Sequence, residues 1–262
     1  MIIDISHHQD PKKMNYDKLS KQVEFAIIRT QYGSKTLDRH YKTHHKEFQK
    51  RGIPTACYAW VRGVSLNDMK VEAIDFYNRT KEFNPTFWFL DVEEKSMSDM
   101  RSGISAYVAQ LRKLGAKKIG IYIAHHLYKD FNLNLSEVDA VWIPHYGLNN
   151  GFINSKPKFI CDIHQYTSCG RLDGYDGNLD LNRLTGTKPL KFFTGIEKEV
   201  IKLEGKEKKL DKIKISLHGK QIETDGIYQE GTNYIPVRFL EKLGYKVTGN
   251  SNSVTIEYKE DK

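Results

Sequence analysis

The 262-residue chain has three cysteines, Cys57, Cys161 and Cys169, odd in number and far apart. None has metal-ligand or redox spacing, so a zinc site or disulfide framework is not expected, and reduced thiols in or near the core are. No apolar run approaches the roughly 18–20 residues of a membrane span. The start, Met1-Ile-Ile-Asp-Ile-Ser, lacks the basic stretch, apolar segment and small-residue cleavage site of a signal peptide. Synthesis in a host cytoplasm without general secretory export is therefore the expectation. No Gly-rich phosphate loop follows any strand pattern, which counts against nucleotide-binding folds. The histidines fall as adjacent pairs (His7-His8, His44-His45, His125-His126) rather than at the i, i+4 spacing that grips zinc on a helix. No Gly-x-Ser-x-Gly elbow is present, so nucleophilic serine chemistry has no support. The net charge is +8, without a Lys/Arg stripe interleaved with aromatics. Polyanionic partners fit that balance, whereas nucleic acid is not expected. No metal or cofactor is called for, and the sequence sets no oligomeric state.

What is present is a succession of short apolar strand candidates: Ile2–Ser6, Phe25–Thr30, Thr55–Trp60, Phe87–Val92, Ile119–Ala124, Ala140–Pro144 and Phe159–Tyr166. Helical spacing lies between several of them. Met69, Ala73, Ile74 and Tyr77 precede Asn84-Pro85, and Ile104, Val108, Leu111 and Leu114 stop at Gly115. Buried strands alternating with helices imply a parallel α/β sheet. Its length suits a (β/α) barrel smaller than the usual ~250 residues, with a doubly wound open sheet as the runner-up. Composition changes near Thr185. Residues 188–212 read as a charged linker or exposed helix, and residues 213–262 as a small α+β unit with strands around Ile213, Tyr245 and Ser253 and a helix over Arg238–Leu243.

The chemistry concentrates in Thr86-Phe-Trp-Phe-Leu-Asp-Val-Glu-Glu. Asp91 and Glu93 stand i, i+2, which on a strand puts both on one face, roughly 6.6 Å apart along the backbone. Barrel active sites sit at the C-terminal ends of strands, and paired carboxylates flanking one bond are what glycoside hydrolysis uses. Apolar surface beside a carboxyl raises its pKa and prepares a general acid. Asp4 ends the first strand. Asp180, in Asn178-Leu-Asp-Leu-Asn, reads as a loop acid after the last strand. Barrel closure would bring both toward Asp91 and Glu93. Tyr58, Trp60, Tyr122, Trp142 and Tyr146 occupy other strand ends. Each alone is more often a core residue, but a ring of them suits sugar faces.

In this order, Asp4-Ile-Ser-His, Phe25-Ala-Ile-Ile-Arg, Gly52-Ile-Pro-Thr-Ala-Cys-Tyr, Leu90-Asp-Val-Glu, Gly120-Ile-Tyr, Trp142-Ile-Pro-His-Tyr, Gln165-Tyr-Thr-Ser and Gly177-Asn-Leu-Asp-Leu-Asn make residues 1–187 resemble glycoside hydrolase family 25, the lysozyme-like N-acetylmuramidases of phage endolysins and bacterial autolysins. The resemblance implies an irregular TIM-like (β/α) barrel that cuts the β-1,4 bond between N-acetylmuramic acid and N-acetylglucosamine in peptidoglycan. It implies Glu93 as general acid, Asp91 as its partner, Asp4 and Asp180 as two further acids, and Gln165 beside the aromatics in substrate binding. Substrate assistance by the N-acetyl group is favoured over direct attack by Asp91. His164, where the family commonly has Trp, and Tyr58-Ala59-Trp60, where Tyr-His-Phe is usual, are expected to reshape a subsite. An inactive wall-binding barrel, a chitinase-like enzyme and a host autolysin are the rival readings. The absence of a signal peptide tilts the expectation toward a phage lysin. The tail, around Tyr234-Ile-Pro-Val-Arg-Phe-Leu-Glu-Lys-Leu-Gly-Tyr, resembles the small module at the N-terminus of copper amine oxidases. It reads as a wall anchor, with anionic wall polymers as ligand.

Overall fold

The structure is a computed structural model that describes residues 1–196, 211–217, 220–229, 232–234, 240–241, 245–250 and 253–258. The chain divides into two compact units, Met1–Lys198 and Glu199–Lys262.

The first unit is an irregular α/β barrel. Its strands are β1 (Ile2–Ile5), β2 (Phe25–Tyr32), β3 (Thr36–Leu37), β4 (Thr55–Trp60), β5 (Trp88–Val92), β6 (Ile119–Ile123), β7 (Ala140–Pro144), β8 (Ile163–Leu172) and β9 (Tyr175–Leu184). Parallel pairing runs from β1 through β2, β4, β5, β6 and β7 to β8. β9 then pairs antiparallel with both β8 and β1 and closes the ring. β3 is a two-residue hairpin arm on β2.

Both faces of the strands are covered, which is why they read as near-continuous apolar runs. Alternate residues such as Ile2, Phe25, Ile27, Ala56 and Phe89 fill the interior. Their neighbours Ile3, Ile5, Ala26 and Ile28 pack outward with α1 (Tyr16–Leu19) and α2 (Tyr41–Lys50). Cys57, Leu90 and Ile121 pack outward with α3 (Leu66–Thr80) and α4 (Met100–Leu114). Ser65 caps α3 by accepting from Asp68 N, and Asp99 caps α4 through Ser102 N. Gly115, at φ 106°, ends α4 in a left-handed conformation that a side chain would strain. The expected apolar stripe of α3 holds at Met69 and Ala73, but Phe76 takes the buried place while Ile74 is 37% exposed. All three cysteines are free.

The last strands differ from expectation. β8 begins at Ile163 rather than Phe159. The preceding stretch is coil around Pro157, and Asp162 there accepts from the backbone N of Val141. Asp180 is not in a loop but in the middle of β9, directly opposite Asp4. The sign of this strand is the period-2 pair Leu179 and Leu181, both buried outside the barrel, which the surrounding Gly, Asp and Asn residues obscure.

α5 (Tyr128–Phe131) follows β6, and α6 (Leu190–Thr194) falls where the linker was expected to start. Its Phe193 is fully buried in the interior cluster, 5.3 Å from the Phe87 ring, and plugs the end of the barrel where the parallel strands begin. No helix among the described residues is long and apolar enough to cross a membrane.

The second unit contains the antiparallel sheet β10 (Asp211–Leu217), β11 (Lys220–Gln229) and β12 (Thr232–Tyr234), and the hairpin β13 (Tyr245–Asn250) and β14 (Ser253–Tyr258). Of the expected helix Arg238–Leu243, Leu240 and Glu241 lie in a 3₁₀ turn and the rest lies outside the described residues, as do residues 197–210 of the expected linker.

If α6 is part of the barrel, Phe193→Ala opens a cavity in it. That change should cost about 3–5 kcal/mol in urea denaturation, as truncation of a core aromatic does. A loss under about 0.5 kcal/mol, typical of a surface change, would return this segment to the connector.

Candidate active site

Alternation along the strands decides which side chains reach the mouth of the barrel. Asp91 follows Phe89 on the inward face of β5 and Glu93 lies just past its end; Asp4 follows Ile2 on β1. Because Asp4 is paired across from Asp180, the two face the same side. The register places Trp60, Asp91, Tyr122 and Trp142 side by side on successive strands.

A cleft of about 180 Å³ opens there. All four expected acids line it: Asp4, Asp91, Glu93 and Asp180. So do the expected aromatics Tyr58, Trp60, Tyr122, Trp142 and Tyr146, and Gln165. Ser6, His8 and Arg29 also line it and were not among the expected site residues.

The aromatics divide by exposure. Trp60 and Tyr146 keep part of their surface open. Tyr58, Tyr122 and Trp142 form a buried floor, with Trp142 1% exposed and set edge-on to the other two rings. His164 is fully buried on the far side of β8, its Nε2 2.8 Å from the His145 carbonyl. It therefore does not reshape the cleft as expected, since its strand neighbours Ile163 and Gln165 take the inward positions.

Asp4 is the centre of a hydrogen-bond network. Gln165 Nε2 and Asn182 Nδ2 both donate to its Oδ1, at 2.8 and 2.7 Å. The amide of Gln165 is oriented by Tyr122 and Tyr146, whose hydroxyls donate to its Oε1 at 2.9 and 2.6 Å. The amide of Asn182 is oriented by Trp142 Nε1, which donates to its Oδ1 at 2.8 Å. Gln165 is thus engaged at both ends within the protein. Asn182 escaped the sequence reading, although it stands two residues beyond Asp180 on the same strand face.

Burial dominates the electrostatics. It lifts Asp4 to about 6 against the lowering effect of its two amide donors. Asp180 has no such donors, and burial plus repulsion from Asp4 and Glu93 lift it to about 8. Burial also raises Glu93, and raises Asp91 further, with the charge of Glu93 adding to the effect on Asp91. Side-by-side carboxyls with raised affinity for protons hold one proton between them. The guanidinium of Arg29 favours the charged form of Asp91, but it is itself bonded to the fully buried Asp38 at 3.2 Å. Asp91 Oδ1 is buried without a hydrogen-bond partner. An acceptor in that condition costs roughly 1–3 kcal/mol until a donor meets it.

A proton-sharing carboxyl pair, an aromatic rim and two more acids can protonate a leaving oxygen, stabilise a cationic centre and bind hydroxyls. The family model for glycosyl hydrolases family 25 matches residues 3–175. GHIP, a virulence factor of Streptococcus pneumoniae described as a glycosyl hydrolase 25 participating in host cell invasion, has a solved structure that is 38% identical. That match has a TM-score of 0.71 and covers 74% of this chain and 92% of GHIP. The catalytic domain of endolysin ply40, from bacteriophage P40 of Listeria monocytogenes, is 28% identical with a TM-score of 0.67, over 71% of this chain and 92% of that one. Protein YegX of Escherichia coli O157:H7 is 21% identical, over 71% of this chain and 70% of its own length. Since the family match runs from Ile3 to Tyr175, across the strand ends that carry Asp4, Asp91 and Glu93, the chain belongs to glycosyl hydrolases family 25, as a lysozyme-type glycoside hydrolase.

Proposed function

We propose that the chain is an endolysin that hydrolyses the β-1,4 bond between N-acetylmuramic acid and N-acetylglucosamine in bacterial peptidoglycan. The observation that carries this is the convergence of Asp4, Asp91, Glu93 and Asp180 on one cleft, with Asp91 near the end of β5 and Glu93 just past it. The phage endolysin domain among the relatives supports the lytic role. A host autolysin would cut the same bond with the same residues.

In this reading, the proton that Asp91 and Glu93 share passes through Glu93 to the glycosidic oxygen as the bond to the anomeric carbon breaks, which leaves Asp91 ionised. The carbonyl oxygen of the substrate's own N-acetyl group attacks that carbon from the opposite side. The N–H of that group donates to the carboxylate of Asp91, which lines the cleft. Asp91 thereby orients the acetamide and balances its developing positive charge. Water then opens the cyclic intermediate, returning its proton to Glu93, with net retention of configuration. Asp4, ionised above about pH 6, adds negative charge near the cationic centre. Asp180, protonated up to about pH 8, donates to a sugar hydroxyl. Trp60 and Tyr146, the partly exposed aromatics, supply ring faces to the sugars. The unit formed by residues 199–262 serves as a wall anchor, and its ligand is an anionic wall polymer.

Glu93→Gln should lower the release of reducing ends from purified peptidoglycan by about 10²–10⁴-fold, the usual worth of a general acid, with an unchanged circular dichroism spectrum. Mass spectrometry of the wild-type digest should find N-acetylmuramic acid at the new reducing ends. Full activity of the variant, or N-acetylglucosamine at those ends, would refute the assignment.

The ascending limb of the pH–rate profile should lie near pH 6, where Asp4 ionises. Asn182→Ala removes a donor that stabilises the ionised form, so Asp4 should bind its proton more tightly. The limb should then move to higher pH, by about one pH unit for a charge-assisted hydrogen bond; a limb that stays put would separate Asp4 from the reaction. Ending the chain after Lys198 should preserve cleavage of soluble glycan fragments and weaken sedimentation with walls. Equal sedimentation of the short and full chains would dismiss the anchor.

A further inference from the structure

A second groove lies beside the cleft. It has a volume of about 400 Å³ and is lined by His7, Arg29, Tyr32, Leu37, Asp38 and Arg39, at the β2–β3 hairpin. Arg29 forms a wall of both hollows. Trp60, at the cleft rim, lies 5.2 Å from the Tyr32 ring of the groove. The two therefore adjoin.

The groove's lining combines the apolar surface of Tyr32 and Leu37 with the guanidinium groups of Arg29 and Arg39. Leu37 is 48% exposed there. The carboxylate of Asp38 is turned inward and occupied. It accepts from His7 N at 2.7 Å, from His40 N at 3.0 Å and from Arg29 Nε at 3.2 Å. The outward charges are those of Arg39, on the groove, and Lys35, in the hairpin turn, both exposed. Arg39 donates to His40 Nε2 at 3.0 Å and to the His7 carbonyl at 3.4 Å. A guanidinium has five N–H donors, so these two bonds leave others for a ligand. A further sugar fits less well. The Arg62 guanidinium sits 4.6 Å from the centre of the Tyr32 ring and covers a face on which a pyranose would stack.

We propose that this groove binds an acidic peptide, the stem that peptidoglycan carries on the lactyl group of its muramyl residue, with Leu37 against a small aliphatic side chain and Arg39 on a stem carboxylate. The inference rests on the muramidase reading above. It makes the groove a specificity site: the hairpin distinguishes glycan that bears stems from glycan that does not.

The experiment compares the full-length wild type with Arg39→Glu and Leu37→Asp on two substrates. One is peptidoglycan with its stems. The other is the same glycan freed of them by an N-acetylmuramoyl-L-alanine amidase. Both positions are exposed, and unchanged melting temperatures confirm that the variants fold. Each variant should lose about tenfold in kcat/KM on the stem-bearing glycan, as like charges do when set against each other at a binding surface, and stay within about twofold of wild type on the stripped glycan. Equal losses on both substrates would make the groove a sugar subsite and overturn the proposal, as would no loss on either. If the wild type cuts neither glycan, the muramidase reading itself fails and takes this inference with it. If it cuts both and the variants do not discriminate, only the inference fails.

Discussion

The desolvation of carboxyl groups is the constraint around which this barrel is organised. Asp4 and Asp91 are 5% and 3% exposed, and the cleft they share with Glu93 and Asp180 has Arg29 as its guanidinium, already bonded to Asp38. Charges buried on these terms are costly, and acids so placed keep protons instead of releasing them. The fold does not relieve the strain with a full set of counterions. It provides neutral donors to Asp4 and leaves Asp91 Oδ1 bare. The outcome is a mouth in which acids of one chemical type have different proton affinities, so that one can give a proton while another is charged.

The donors are held by the interior. Two tyrosine hydroxyls and an indole N–H fix the two amides that fix Asp4. Two of these rings, Tyr122 and Trp142, also fill the upper barrel, where Trp142 touches Tyr58, Phe89 and Tyr122 edge-on. Packing and electrostatics are thus carried by the same side chains, so a change to the floor alters the proton affinity of the acids above it.

How much of this was legible in the sequence follows from the range of each signal. The strand of Asp91 and Glu93 and the helix that ends at Gly115 are written in neighbouring residues, and both are where the periodicity puts them. The aromatics at strand ends also reach the cleft, because parallel strands bring their ends to one face. β9 was missed because its apolar signal is only Leu179 and Leu181 amid turn-forming residues. The pairing of Asn182 with Asp4 depends on register between segments 178 positions apart, which no local pattern encodes. The same is true of Phe193, whose burial depends on a barrel end made by Ile2, Phe25 and Phe87.

The direction of β9 has a consequence for how such a protein is assembled. Seven parallel strands point their C-terminal ends at the acids, while the antiparallel closing strand runs back the other way. Asp180 and Asn182 are placed in passing, and the chain then leaves through α6 at the opposite end of the barrel. The covalent exit is thereby separated from the mouth. Evolution or an engineer can exchange whatever is joined beyond that point without threading new backbone across the face where polymer must lie.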